Sequence, residues 1–158
     1  MSHSESTRRG VLREALVAGS WASVLSTLAL AWAGHREIRS AVAPVNAVSH
    51  WRWGWPALHQ RAVTGRHTLL GYLIHHGASV WWAGLHAAVR HRRQCDSSAA
   101  LLAGAAVTSA IACVVDFKCT PERFTPGFEH HLSRSALASV YALFALGLVL
   151  GVRAHRRN

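Results

Sequence analysis

The sequence predicts an all-α fold, an integral membrane four-helix bundle whose long first connection contains interfacial segments. Three observations carry that expectation. Hydrophobic residues make up 51% of the 158-residue chain and charged residues only 15%. The apolar residues fall into four blocks free of Asp, Glu, Lys and Arg, at 15–34, 67–89, 97–115 and 135–152. Each block is close to the roughly 20 residues that a helix needs to cross a hydrocarbon core of about 30 Å. Finally, basic residues cluster at the block ends: Arg8, Arg9 and Arg13; Arg90, Arg92 and Arg93; Arg153, Arg156 and Arg157.

That placement decides what the formal charge of +10 means. A nucleic-acid binder would gather its cations on one face. Here they flank apolar runs, as the positive-inside rule and contact with anionic lipid head groups require. The expected partners are therefore the lipid bilayer and its anionic head groups, with no nucleic acid. The compact arginine clusters also put both termini and the turn 90–96 on the cytoplasmic side.

The elements follow in order. Residues 1–10 are polar and read as a disordered cytoplasmic tail. A single four-span membrane domain then fills 11–152, with spans at about 12–34, 67–90, 97–116 and 134–152. "STRRGVL" resembles a twin-arginine export signal, but Arg13 and Glu14 interrupt it and three more blocks follow, so the first helix reads as retained. In the connection 35–66, Trp51, Trp53 and Trp55 suit a membrane interface, and Pro44 and Pro56 break it into short helices or a re-entrant segment. Ser97 or Ser98 is placed to cap the third span. That span is nearly all Ala, Gly and Ser, which points to the central, most enclosed helix. Span four carries Gly147-x-x-x-Gly151, a small-residue pattern that packs within the bundle or against another copy. Residues 153–158 form a basic cytoplasmic tail.

Two adjacent histidines in the second span raise the functional question. On a helix, Thr68, Tyr72, His75, His76, Ser79, Ala83 and His86 share an arc of about 100°, while Leu73, Trp81 and Leu85 lie outside it. Lipid offers such a stripe no partners, so it must face the bundle or a cavity. Span three has a matching face in Ala105, Ser109, Ala112, Cys113 and Asp116, and span one a weaker one in Ser20, Ser23, Thr27 and Ala31. The expected polar intramembrane site joins His76 to Asp116, with His75 and Tyr72 beside them and His50, Asn46 and Glu129 arriving from the loops.

No cofactor is expected. The 12 histidines are compatible with a metal ion, and Cys113, Asp116 and Cys119 are spaced for a weak one. Neighbouring helical histidines diverge by about 100°, however, so His75 and His76 do not chelate one ion together. Cys95, Cys113 and Cys119 make no disulfide framework. No phosphate-binding loop, dinucleotide fingerprint, zinc-protease motif or nucleophile elbow occurs. The leading expectation is thus a non-catalytic binding or association role, as a homo-oligomer or with another membrane protein. An outward-facing polar pocket for a metal ion, proton or small solute is the alternative, and a membrane enzyme with a His/Asp/Glu site the third. A purely structural reading, with the histidines as hydrogen-bonding glue between helices, stands beside all three.

"APVNAVSHWRWG", "GYLIHHGASVWW" and "VVDFKCTPERFTPGFEHHLS" together resemble a group of short bacterial inner-membrane proteins with four predicted spans and no established activity. The likeness runs from Ala43 to Gly151. It implies a multi-pass protein of the bacterial cytoplasmic membrane and carries over no functional residue.

Overall fold

Four long helices follow the four apolar blocks in this computed structural model, which describes residues 3–93 and 97–157. They are α1 (His3–Ile38), α4 (Leu70–Arg93), α5 (Ser98–Val114) and α6 (Arg134–His155), with the short α2 (Ala43–Val48) and α3 (His50–Trp53) between the first two. No strand occurs among the described residues. Cys95 lies outside the described residues.

Local signals set the ends. Ser97 accepts a hydrogen bond from the Ala100 amide at 3.1 Å, and Ser133 one from the Ala136 amide at 3.3 Å, capping α5 and α6. At the amino end, α1 reaches back to His3, into the stretch expected to be a disordered tail. Nothing there breaks a helix, and Glu5 and Arg9, one turn apart, pair at 2.7 Å.

Three helical stretches are long and apolar enough to cross a membrane: Thr7–Ile38, Ser98–Cys119 and Arg134–His155. At 24 residues α4 is long enough. His75, His76 and His86 dilute its apolar character, and it is not among the three.

The packing overturns one expectation. Only 22% of the apolar window of α5 is buried, against 44% in α1 and α6, so the small-residue helix is the least enclosed. The central helix is α1, which lies between α4 and α6 and runs antiparallel to both. A Cβ added at Gly147 would stand 2.4 Å from the Ala22 Cα, and one at Gly151 2.3 Å from the Ala18 Cα. On the other side of α1, a Cβ at Gly19 would meet the Val80 Cα at 2.5 Å. Small residues on both helices let backbones approach most closely. Ala18 and Ala22 supply that match to α6, whereas Leu102, Val107, Ile111 and Val114 turn outward from α5.

Where the termini gather, α1 also carries a buried carboxylate. Glu14 is 1% exposed and takes both Arg90 hydrogen bonds, Nε to Oε1 at 2.8 Å and a second guanidinium nitrogen to Oε2. His91 Nε2 adds a contact of 3.2 Å.

The first connection is more deeply embedded than its tryptophans suggest. Every residue of α2 is buried, and a Cβ at Gly71 would come within 2.1 Å of the Val45 carbonyl oxygen. Trp53 is flanked by two cations, with the guanidinium carbons of Arg66 and Arg52 at 4.1 and 4.7 Å from its ring.

Candidate functional site

The polar stripe of α4 faces inward. Ser79, Ala83 and His86 are buried, while Leu73, Trp81 and Leu85 are exposed. Within the stripe the two adjacent histidines part company, as the helical step requires. His75 reaches α1, where its Nε2 stands 2.8 Å from Ser26 Oγ. That hydroxyl lies 2.7 Å from the Ala22 carbonyl oxygen, the ordinary place for its single hydrogen. This assigns His75 as donor from Nε2 and leaves Nδ1 the acceptor nitrogen. His76 turns away and stacks on Tyr72, ring centroids 5.8 Å apart.

Asp116 approaches from α5. The helix widens into a single π turn over Val115–Cys119, a distortion that helices often carry at functional positions. Asp116 Oδ2 accepts a 2.7 Å hydrogen bond from the Tyr141 hydroxyl of α6. Tyr141 is held in turn, its carbonyl accepting from Ser109 Oγ at 2.7 Å and its ring packed edge-on against Phe117. Glu129 lies close enough for its charge to act on both Asp116 and Tyr141, and its buried Oε2 has no hydrogen-bond partner.

These groups meet at a cavity of about 80 Å³. Ser26, His75, Asp116 and Tyr141 are among its polar walls, and Trp51, Trp82, Phe124, Phe128 and Phe144 among its apolar ones. Such a space is several times what one water needs. Aromatic walls with a few converging polar groups are the usual make-up of a small-ligand site.

The loops lie over the end away from the termini, where Phe124, an exposed residue, lines the cavity. Trp51 Nε1 donates to the Thr125 carbonyl at 2.8 Å. Gly127, at φ 86°, lies so close to α2 that a Cβ there would meet the Ala47 carbonyl oxygen at 2.7 Å and His50 Nδ1 at 2.8 Å. His50 is buried with Nδ1 on the Ala47 carbonyl at 2.9 Å. Asn46 spends its whole amide on the chain: Nδ2 donates to the Gln60 and Ala62 carbonyls at 3.0 Å, and Oδ1 accepts from Thr68 at 2.7 Å.

The expected site is therefore redrawn. His75 and Asp116 share the cavity, but His76 and Tyr72 do not line it. Asn46 and His50 build the cover rather than the walls. The sequence reading missed Tyr141 and Ser26. Tyr141 was open to view as the one hydroxyl-bearing aromatic of its span, and Ser26 was passed over because the face of α1 was drawn through Ser20, Ser23 and Thr27.

Cys113 is half-buried and Cys119 exposed, both as free thiols. Among the described residues no three His, Cys, Asp or Glu side chains converge as a metal site would need. In the covering loops, burial is the largest influence on His131 and holds its imidazole below the ordinary range, with Arg61, His130 and His59 adding positive charge. No family model, no curated protein and no solved structure matches this chain.

Proposed function

We propose that the protein is a small non-catalytic binding protein of the bacterial cytoplasmic membrane, with four spans and both termini in the cytoplasm. Its outward-facing pocket binds a small solute. The observation behind this reading is the cavity itself, where His75 and Asp116 arrive from different helices, each already oriented by one hydrogen bond. His75 to Ser26 and Asp116 to Tyr141 are also bonds between helices, and what helix-to-helix glue alone leaves unexplained is the space between them. The likeness to four-span bacterial inner-membrane proteins supports the location, and the arginine clusters support the orientation. In this arrangement α4, the second span, also crosses, with His75 of its polar stripe covered by α1.

Accessibility tests the pocket. In a chain with Cys95, Cys113 and Cys119 replaced by serine, Ala78→Cys at the cavity wall reacts with a charged thiol reagent added outside. Leu73→Cys, facing lipid, stays silent. If both positions are silent in folded protein, the pocket is closed and the histidines are packing groups. Reporter fusions at residues 60, 93, 125 and 157 test the topology and alternate out, in, out, in.

The exposed apolar face of α5, with Leu102, Val107 and Ile111, favours a second reading. In it the protein associates with another membrane protein or a second copy through that helix.

A further inference from the structure

A second cavity lies between α4 and α5, near the end where the termini gather. Its volume is about 630 Å³, and it shares only the Trp82 wall with the pocket at His75. Leu85, Val89, Val107 and Ile111 form an exposed apolar rim, and Ala103 and Gly104 a floor of small residues. Arg90 and Arg93 line the end nearest the termini, and none of the described residues lining the groove is acidic. Arg93 is exposed, whereas Arg90 is engaged with Glu14.

His86 supplies an independent sign of a ligand. It is 5% exposed, lines this groove, and has Nδ1 3.1 Å from Thr108 Oγ1, but its Nε2 has no partner. A buried ring nitrogen without a hydrogen bond is costly in an apolar setting. Gly104 keeps the ring in place, because a Cβ there would meet His86 Cε1 at 3.2 Å. Arg93 lies seven residues further along α4, about 10 Å at the helical rise.

We propose that this groove holds one anionic phospholipid. An acyl chain runs along Leu85, Val89, Val107 and Ile111, the phosphate sits at Arg93, and a water between His86 Nε2 and an ester carbonyl donates to both. The Thr108 hydroxyl gives its hydrogen to the Gly104 carbonyl at 2.8 Å, so His86 donates from Nδ1 and its Nε2 is an acceptor, as that water contact needs. A basic end joined to an apolar trough between helices is what an anionic lipid recognises and a zwitterionic one does not.

Native mass spectrometry of the full-length protein in mild detergent tests this, after exchange with equal amounts of phosphatidylglycerol and phosphatidylcholine. The expected result is one phosphatidylglycerol held per chain, preferred by about fivefold, the factor that one arginine near a membrane surface supplies. Arg93→Gln, an exposed change that leaves the core alone, removes the preference. Ala103→Trp fills the groove and expels both lipids, while Arg153→Gln, on α6 at the same end, changes nothing. Excess glycerol phosphate, which has no chains, does not displace the lipid; displacement would mean that the site takes a free anion instead. Equal retention of the two lipids by the unaltered protein overturns the proposal. So does an unchanged preference in Arg93→Gln, whatever the behaviour of Ala103→Trp.

Discussion

Ala18 occupies the space that a side chain at Gly151 would need: a Cβ built on Gly151 stands 2.3 Å from the Ala18 Cα. One helical turn away Gly147 meets Ala22 in the same manner. The crossing of α1 and α6 is thus a contact between backbones, which no side-chain rearrangement can relieve. Gly147→Val and Gly151→Val should each destabilise the protein by about 1–3 kcal/mol or more, the usual cost of overpacking. Gly77 is the control, since a Cβ there meets nothing within 4 Å. Gly77→Ala should be neutral or stabilising by up to about 1 kcal/mol, because alanine is the better helix former. Thermal melting in detergent checks all three, and equal melting of Gly151→Val and Gly77→Ala would refute the close crossing.

Glu14 and Arg90 make a second test. Removing one partner of a buried ion pair strands the other, at a cost of about 3–5 kcal/mol, whereas replacing both with apolar residues is often neutral. Glu14→Leu alone should therefore lower the melting temperature sharply. Glu14→Leu combined with Arg90→Leu should recover most of the loss. A double variant no better than the single one would show that the pair does not act as a unit.

The Tyr141–Asp116 hydrogen bond is open to the same logic. Tyr141→Phe should cost about 1–3 kcal/mol, since it leaves a buried acceptor without its donor. Asp116→Asn combined with Tyr141→Phe should cost less than the two changes added together. Additive losses would mean that the two side chains are not coupled in solution. NMR in detergent checks the shared cavity: Asp116→Asn should move the ring resonances of His75, which lines it with Asp116.

His131 predicts a dependence on pH. Its folded imidazole titrates below the unfolded one, so the unfolded chain binds the proton first as pH falls. Its contribution to stability is complete above about pH 6.5, the unfolded value, and is lost as pH falls toward the folded one. Melting temperatures measured from pH 7.5 down to 5.5 should decline, and His131→Gln should make the decline shallower. An identical slope in the variant would assign the effect to other histidines.

Much of this was legible in the sequence. The four apolar blocks became four helices, and the arc on α4 faces inward because a histidine in an apolar helix has nowhere else to go. The order of packing was not legible. A helix rich in alanine permits close approach but does not say who approaches, and in α5 only Leu101, Ala105, Ser109 and Ala112 found buried places. The glycines of α6 announced a close contact, yet its partner depended on Ala18 and Ala22, two unremarked alanines in α1. His75 and His76 could not be ranked by angle alone, since the choice between them was made by Ser26, on a different helix.

The position of α1 has a consequence for how the chain is made. It leaves the ribosome before α4, and it already carries the groups that α4 needs: Glu14 for Arg90, Ser26 for His75, Gly19 for the backbone at Val80. Of the four long helices, α4 is the one not apolar enough to count among the three that could cross a membrane. Its partner is made beforehand, so packing can follow the order of synthesis, with α1 as the template on which α4 settles.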